Sequence, residues 1–336
     1  MGRPSQSAFV VTLLVLVGCS SPRPAVETRQ AAPAWTDPSP HTSGFVIVPG
    51  ARLNYLDWGG TGPNLILIHG MGDNPHAFDG LAAAIGTQFR IIAYARRGHG
   101  RSSKAGPFDT ATLTEDLKAL MDSLKIARAH LAGWSMGGNE ITAMAGSYPD
   151  RVDRIVYLDA AYDWADPRER VAFKALPFDL SPKPANLASP DAFKAWQVAT
   201  FYPSAGKPDQ IEAYLRDLVD IQADGTVKPV TSDSVSAALA EALFTNPRDY
   251  SRVRVPALAI YAATMLDMAQ PDSAVRTKQR AWEEQFLGPF RAASVERVKR
   301  ELKGVEVVRV RGAHGDFLWT STDQVAEAMR KFLAPH

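Results

Sequence analysis

The chain has 336 residues, room for one large domain or two small ones. Its 46% hydrophobic and 22% charged residues are ordinary for a globular protein. Lys and Arg number 37 against 36 Asp and Glu, a net charge of +1, and no basic stripe recommends nucleic acid as a partner.

The N-terminus reads as an export signal. Arg3 and the terminal amine are followed by "AFVVTLLVLV" (8–17), an apolar run too short to cross a bilayer as a stable helix. It ends at Cys19, the only cysteine in the chain, which removes disulfides from consideration. Leu16-Val17-Gly18-Cys19 resembles the lipobox of bacterial lipoproteins. That resemblance implies cleavage after residue 18 and acylation of Cys19, palmitate being a typical chain. Each buried methylene then contributes roughly 0.8 kcal/mol of anchoring. Ser20 stands where an Asp would signal inner-membrane retention, so the resemblance implies the outer membrane, facing the periplasm. Residues 19–43 hold Pro22, Pro24, Pro33, Pro38 and Pro40 and read as a Pro-rich tether.

Beyond the tether, strand and helix patterns alternate. "FVIV" (45–48) and "ARLNYLDW" (51–58) read as two strands joined through Pro49-Gly50, antiparallel at one edge. "NLILIHG" (64–70) reads as a buried strand and residues 78–85 as a helix. "FRIIAY" (89–94) is a strand, and residues 112–126 show helical spacing of Leu113, Leu117, Leu120 and Leu124. A strand (128–134), a helix (136–147) and a strand (154–160) follow. This order argues for an α/β fold, a mostly parallel sheet with helices on both faces. Residues 162–250 break the rhythm with helix formers, aromatics and prolines and no clear strand, and read as a helical insertion. Strands at 257–261 and 305–310 and a helix at 323–333 resume the sheet.

The chemistry gathers at "LAGWSMGGNE". Gly133-Trp134-Ser135-Met136-Gly137 is a G-x-S-x-G pattern between a strand and a helix. A serine on so tight a turn needs small neighbours, and its hydroxyl stands exposed at a helix N-terminus that favours negative charge. "HGMG" (69–72) follows a buried strand and supplies a second amide, so the oxyanion hole is assigned to the backbone N–H groups of Met71 and Met136. Each such donor contributes about 2.7–4 kcal/mol to lowering a barrier. His69 reads as a structural histidine beside the hole. Of seven histidines, His314 in "RVRGAHGDFLW" follows the last strand in a loop of small residues, and the nucleophile-then-histidine order makes it the base.

Taken together, "HGMG", "RRGHGRSS", "GWSMGG" and "GAHGDF" resemble the α/β-hydrolase superfamily over residues 44–336, as a serine esterase or lipase-like member. The resemblance implies that fold, a core from 44–161 and 251–336, and a helical cap from 162–250. It also implies acylation of Ser135 followed by hydrolysis, without cofactor or metal. Ala95 stands where many members carry a structural Asp. Serine rather than aspartate as nucleophile sets the chain apart from the haloalkane dehalogenases and epoxide hydrolases of this fold.

The acid that orients the histidine has two candidate positions. The family's usual place is the loop after strand 257–261, where Ala263, Thr264 and Met265 precede the first carboxylate, Asp267. A second known place is the end of the strand after the nucleophile helix, where "IVYLDAAYD" offers Asp159. Asp159 is favoured because it emerges beside the nucleophile's strand, with Asp267 as the alternative and Asp163 and Asp272 behind it. The expected substrate is a small-molecule ester with an apolar acyl or alcohol group under the aromatic cap. A C–C bond hydrolase or peptidase of the same fold is the alternative enzyme, and a non-catalytic ligand-binding surface lipoprotein the alternative of another class.

Overall fold

The structure is a computed structural model that describes residues 35–205, 211–270 and 272–334. The signal segment, Cys19 and most of the tether lie outside the described residues. Residues 35–38 belong to an N-terminal unit and carry no helix or strand, and the helices and strands of the described residues lie in the unit Ser39–His336. No helix among the described residues is long and apolar enough to cross a membrane.

Eight strands form one sheet: β1 (Thr42–Val48), β2 (Ala51–Gly59), β3 (Asn64–Ile68), β4 (Arg90–Tyr94), β5 (Ala129–Trp134), β6 (Val152–Leu158), β9 (Ala257–Tyr261) and β10 (Glu306–Arg309). Their spatial order is β1-β2-β4-β3-β5-β6-β9-β10. β2 runs antiparallel to both β1 and β4, and the remaining pairs are parallel. Gly50, at φ 73°, makes the β1–β2 turn that Pro49 introduces.

The sheet is buried on both faces because its strands carry apolar residues on both sides. Ile66 and Ile68 of β3 enter one core with Leu113, Leu117 and Leu120 of α2 (Thr110–Ser123) and Ile141 and Met144 of α3 (Gly137–Ser147). Leu65 and Leu67 point the other way, toward Leu81 and Ile85 of α1 (Asp79–Ile85) and Val325 and Met329 of α10 (Thr322–Leu333). That two-residue alternation between two covered faces is what continuous apolar strands require.

Between β6 and β9 lie α4 (Pro167–Lys174), α5 (Pro190–Phe201), α6 (Glu212–Arg216) and α7 (Asp233–Thr245). A hairpin of β7 (Val219–Ile221) and β8 (Val227–Pro229) stands among them, where no strand was expected. Strands of three residues are too short to show a period, and the turn signal, Asp224-Gly225 with Gly225 at φ 85°, is all the sequence carries. Before β10, α8 (Ser273–Trp282) and α9 (Gly288–Glu301) occupy most of the stretch that follows β9, joined by a π-helical turn over Glu283–Leu287.

The chain turns from β3 out to β4 and then back across to β5. The crevice at the C-terminal ends of β3 and β5 is therefore a topological switch point, where ligands bind in open α/β sheets.

Candidate active site

Ser135 sits directly after β5 at φ 54°, a left-handed conformation that non-glycine residues rarely adopt. The turn closes because its neighbours lack side chains. A Cβ on Gly133 would come within 2.5 Å of the Gly137 backbone, and one on Gly137 would overlap the Ile68 carbonyl. Ser135 N donates to Leu158 O at 3.2 Å, which ties the turn to the end of β6.

Two further strand ends deliver the partners. Asp159 follows β6, also left-handed at φ 45°, and its amide donates to Ile260 O of β9 at 2.7 Å. Beyond β10 the pairing with the β9 loop continues, and His314 N donates to Thr264 O at 2.8 Å. Trp134 Nε1 donates to His314 O at 3.1 Å and fixes the same loop from the Ser135 side.

The three side chains form one hydrogen-bonded line. His314 Nε2 lies 2.9 Å from Ser135 Oγ, and His314 Nδ1 lies 2.7 Å from Asp159 Oδ2. With Nδ1–H donating to the carboxylate, Nε2 is left to accept the serine proton. Asp159 Oδ1 accepts from Tyr162 OH at 2.6 Å and from Ala262 N at 3.1 Å, and Arg291 Nη2 stands 3.5 Å away. Burial alone would raise the Asp159 pKa. The charge of Arg291 and the hydrogen bonds from His314 and Tyr162 outweigh it and hold the carboxyl below its ordinary value. The group is thus an anion whose remaining lone pairs are satisfied.

Asp267 is not in this line. It is buried, and its carboxylate accepts from Ser204 N at 2.7 Å and Ser204 Oγ at 2.9 Å, fastening the end of α5 to the β9 loop. Asp163 accepts from Arg248 N and Arg297, and Asp272 caps α8, so neither reaches the histidine.

Met136 opens α3, and Met71 lies in the loop after β3. Neither backbone amide has a hydrogen-bond partner among the described residues. The loop is held by two neutral histidines. His99 Nε2 accepts from Gly72 N at 3.0 Å while its Nδ1 faces Arg97 O at 3.1 Å, and His69 Nε2 accepts from Arg96 N at 3.1 Å. Burial and the Arg96 charge push the pKa of His99 down to about 3 and that of His69 well below its ordinary value. Where Ala95 replaces the expected Asp, the neighbouring Arg96 is fully buried and paired with Glu140 at 2.8 Å.

Ser135 and His314 open onto a cavity of about 470 Å³. Its walls are mainly apolar, with Phe173, Leu176 and Leu180 from the α4 side and Leu243 and Phe244 from α7. A carboxyl also lines it. Asp73 Oδ1 accepts from Tyr214 OH at 2.6 Å, and Tyr214 OH is 2.8 Å from Tyr202 OH. Burial raises the Asp73 pKa to about 6, against the lowering effects of the Tyr214 hydrogen bond, His314 and Arg96. Sequence reasoning passed over Asp73, Tyr162 and Arg291. Asp73 follows "HGMG" directly, a signal that was there to read, whereas nothing in the sequence of α9 points to Arg291.

Residues 63–177 match the family model described as the alpha/beta hydrolase fold. An uncharacterized protein of Mycobacterium tuberculosis is 34% identical over 125 residues, 37% of this chain and 36% of that one. The chain thus spans about a third of the length of the curated relatives it matches. Among solved structures, E-2-(acetamidomethylene)succinate hydrolase superposes with a TM-score of 0.68 at 22% identity, covering 87% of this chain and 99% of that one. Carboxylesterase CesB of Bacillus subtilis gives 0.57 at 19% identity, covering 88% and 93%. These likenesses and the sheet order establish the α/β-hydrolase fold.

Proposed function

We propose that this chain, an α/β-hydrolase in fold, is a serine hydrolase that cleaves carboxylic esters through an acyl-enzyme on Ser135. The observation that carries the reading is the unbroken line Ser135–His314–Asp159 at the mouth of an apolar cavity. Ser135 Oγ attacks the ester carbonyl as His314 Nε2 takes its proton. Asp159 keeps the imidazole in the accepting tautomer and stabilises the imidazolium. The amides of Met71 and Met136 donate to the oxyanion. His314 then protonates the departing alcohol, and water activated by the same nitrogen releases the acid. The apolar walls favour a small-molecule ester with an apolar acyl or alcohol group.

The test is labelling by a fluorophosphonate, which reacts with an activated serine, beside a panel of p-nitrophenyl esters of rising chain length. Wild type should label and turn over esters, and Ser135→Ala should do neither. Ester hydrolysis persisting in Ser135→Ala, or absence of labelling in wild type, would refute the reading.

We further propose that Cys19 is acylated and anchors the enzyme to the envelope, at the outer membrane facing the periplasm. The support is the apolar segment 8–17 ending at the chain's single cysteine. Cys19→Ser should lose incorporated palmitate and move to the soluble periplasmic fraction. A cysteine variant that stays in the membrane fraction would sink this proposal.

A further inference from the structure

The cavity carries a cluster of polar side chains on the same lining as Ser135. Asp73 Oδ1 is held by Tyr214 OH at 2.6 Å, and Tyr202 OH stands 2.8 Å behind that hydroxyl. Oδ2 has no hydrogen-bond partner among the described residues. It lies over Gly70: a Cβ built there would strike Asp73 Oδ2 first and come within 3.2 Å of Ser135 Cβ. The bare Gly70 is therefore the gap across which carboxyl and nucleophile face one another. Both residues line the cavity.

Asp73 is part-buried, so solvent reaches this oxygen in the empty cavity, and a ligand that fills the cavity strips that water and leaves the acceptor bare unless it brings a donor. Tyr214 donates to the other oxygen, so the arrangement fixes the carboxyl's orientation and leaves one acceptor aimed at the reacting centre. The rest of the lining is mainly aliphatic and aromatic, and apart from the Gln197 carboxamide it brings no second carboxyl or amide side chain to the cavity.

We propose that Asp73 is a specificity residue: its free oxygen accepts a hydrogen bond from a hydroxyl or amine carried by the substrate close to the scissile carbonyl. The inference rests on the serine-ester reading and narrows its substrate class to esters bearing a donor beside the bond that is cleaved. A site built to pair with a substrate donor discriminates strongly against the analogue lacking it, because the buried acceptor is then left bare. The donor has two possible sources, the acyl part or the alcohol part.

Two matched pairs of esters separate them: p-nitrophenyl 3-hydroxybutyrate against p-nitrophenyl butyrate, and glycerol monobutyrate against propyl butyrate. Wild type should favour the hydroxylated member of at least one pair by roughly ten- to a hundredfold in kcat/KM, as expected for a donor pairing with a charged acceptor. The pair that responds names the side of the ester that carries the donor. In Asp73→Ala, and in the nearly isosteric Asp73→Leu should the first not fold, that ratio should fall to within about threefold of unity. Equal rates for both pairs in wild type would overturn the proposal, as would a preference that survives in the variants. Fluorophosphonate labelling of Ser135 in each protein keeps the two readings apart. Labelled protein without hydroxyl preference refutes the role of Asp73 alone, and unlabelled wild type refutes the serine-ester reading beneath it.

Discussion

Asp159 and His314 stand 155 residues apart in the chain and share a 2.7 Å hydrogen bond. Each lies just past the C-terminal end of a sheet strand, so the bond depends on the strand order as much as on the two side chains.

This pairing gives the sharpest expectation. Asp159→Asn should lower kcat by about four orders of magnitude, the scale seen when an orienting acid is exchanged for its amide and the wrong tautomer results. Asp267→Asn should stay within about tenfold of wild type, because Asp267 bonds Ser204 rather than His314. Kinetics on one p-nitrophenyl ester decide it, and the reverse ranking would exclude Asp159 as the acid.

Arg291 should matter well beyond its single charge. It donates to Tyr162 OH at 3.1 Å and to the Ala262 carbonyl, pairs with Glu283 at 3.1 Å, and stands 3.5 Å from Asp159. Arg291→Leu takes the countercharge from the buried Asp159 and leaves the part-buried Glu283 with only the Met265 amide, at an expected cost of about 3–5 kcal/mol measured by chemical denaturation. It should also let the Asp159 pKa rise. Because Asp159 must be ionised, the acid limb of the activity profile should then move to higher pH. An unchanged limb would mean that Arg291 does not set the charge on Asp159.

The turn under Ser135 is a packing constraint that one methyl group tests. A Cβ on Gly137 overlaps backbone that cannot swing aside. Gly137→Ala should therefore destabilise the fold by about 1–3 kcal/mol, read as a fall in Tm, and depress turnover by displacing the nucleophile. Normal stability with normal turnover would show that β3 and α3 yield more easily than their contact implies.

Asp316 should make stability fall as pH rises. Its Oδ1 accepts from Ala313 N at 2.7 Å, and burial together with the Asp267 charge raises its pKa above the ordinary 3.8. For an acid raised in the folded state, the stabilisation is full below 3.8 and is lost as pH climbs toward the folded value. Asp316→Asn, which cannot ionise, should flatten that decline in Tm between pH 4 and neutrality. A wild-type Tm that is level over this range would contradict it.

Local patterns carried much of the sheet and the candidate site. Ser135 announces itself because a strand, a glycine-bounded serine and a helix occupy adjacent positions. The β9 strand is legible because its apolar run is bounded by Pro256 and a loop. Ambiguity entered where the signal was only a carboxylate after a strand, which describes both Asp159 and Asp267. What separates them is reach: Ser204, from the inserted helices, engages Asp267. No spacing rule contains that contact. The same holds for Arg291, which meets Asp159 from α9 across 132 residues of chain, and for Tyr214, which meets Asp73 across 141. Pairings of that range are settled by packing between distant elements, after the local patterns have already been read.

The positive φ at Ser135 and Asp159 also limits which sequences can occupy these two sites over evolutionary time. β-branched residues are strongly disfavoured in the left-handed region, whereas Asp and Asn are its commonest non-glycine occupants. A lineage could therefore replace the hydroxyl at 135 with a carboxylate at little backbone cost. Threonine, chemically the nearer neighbour of serine, is the exchange this backbone resists.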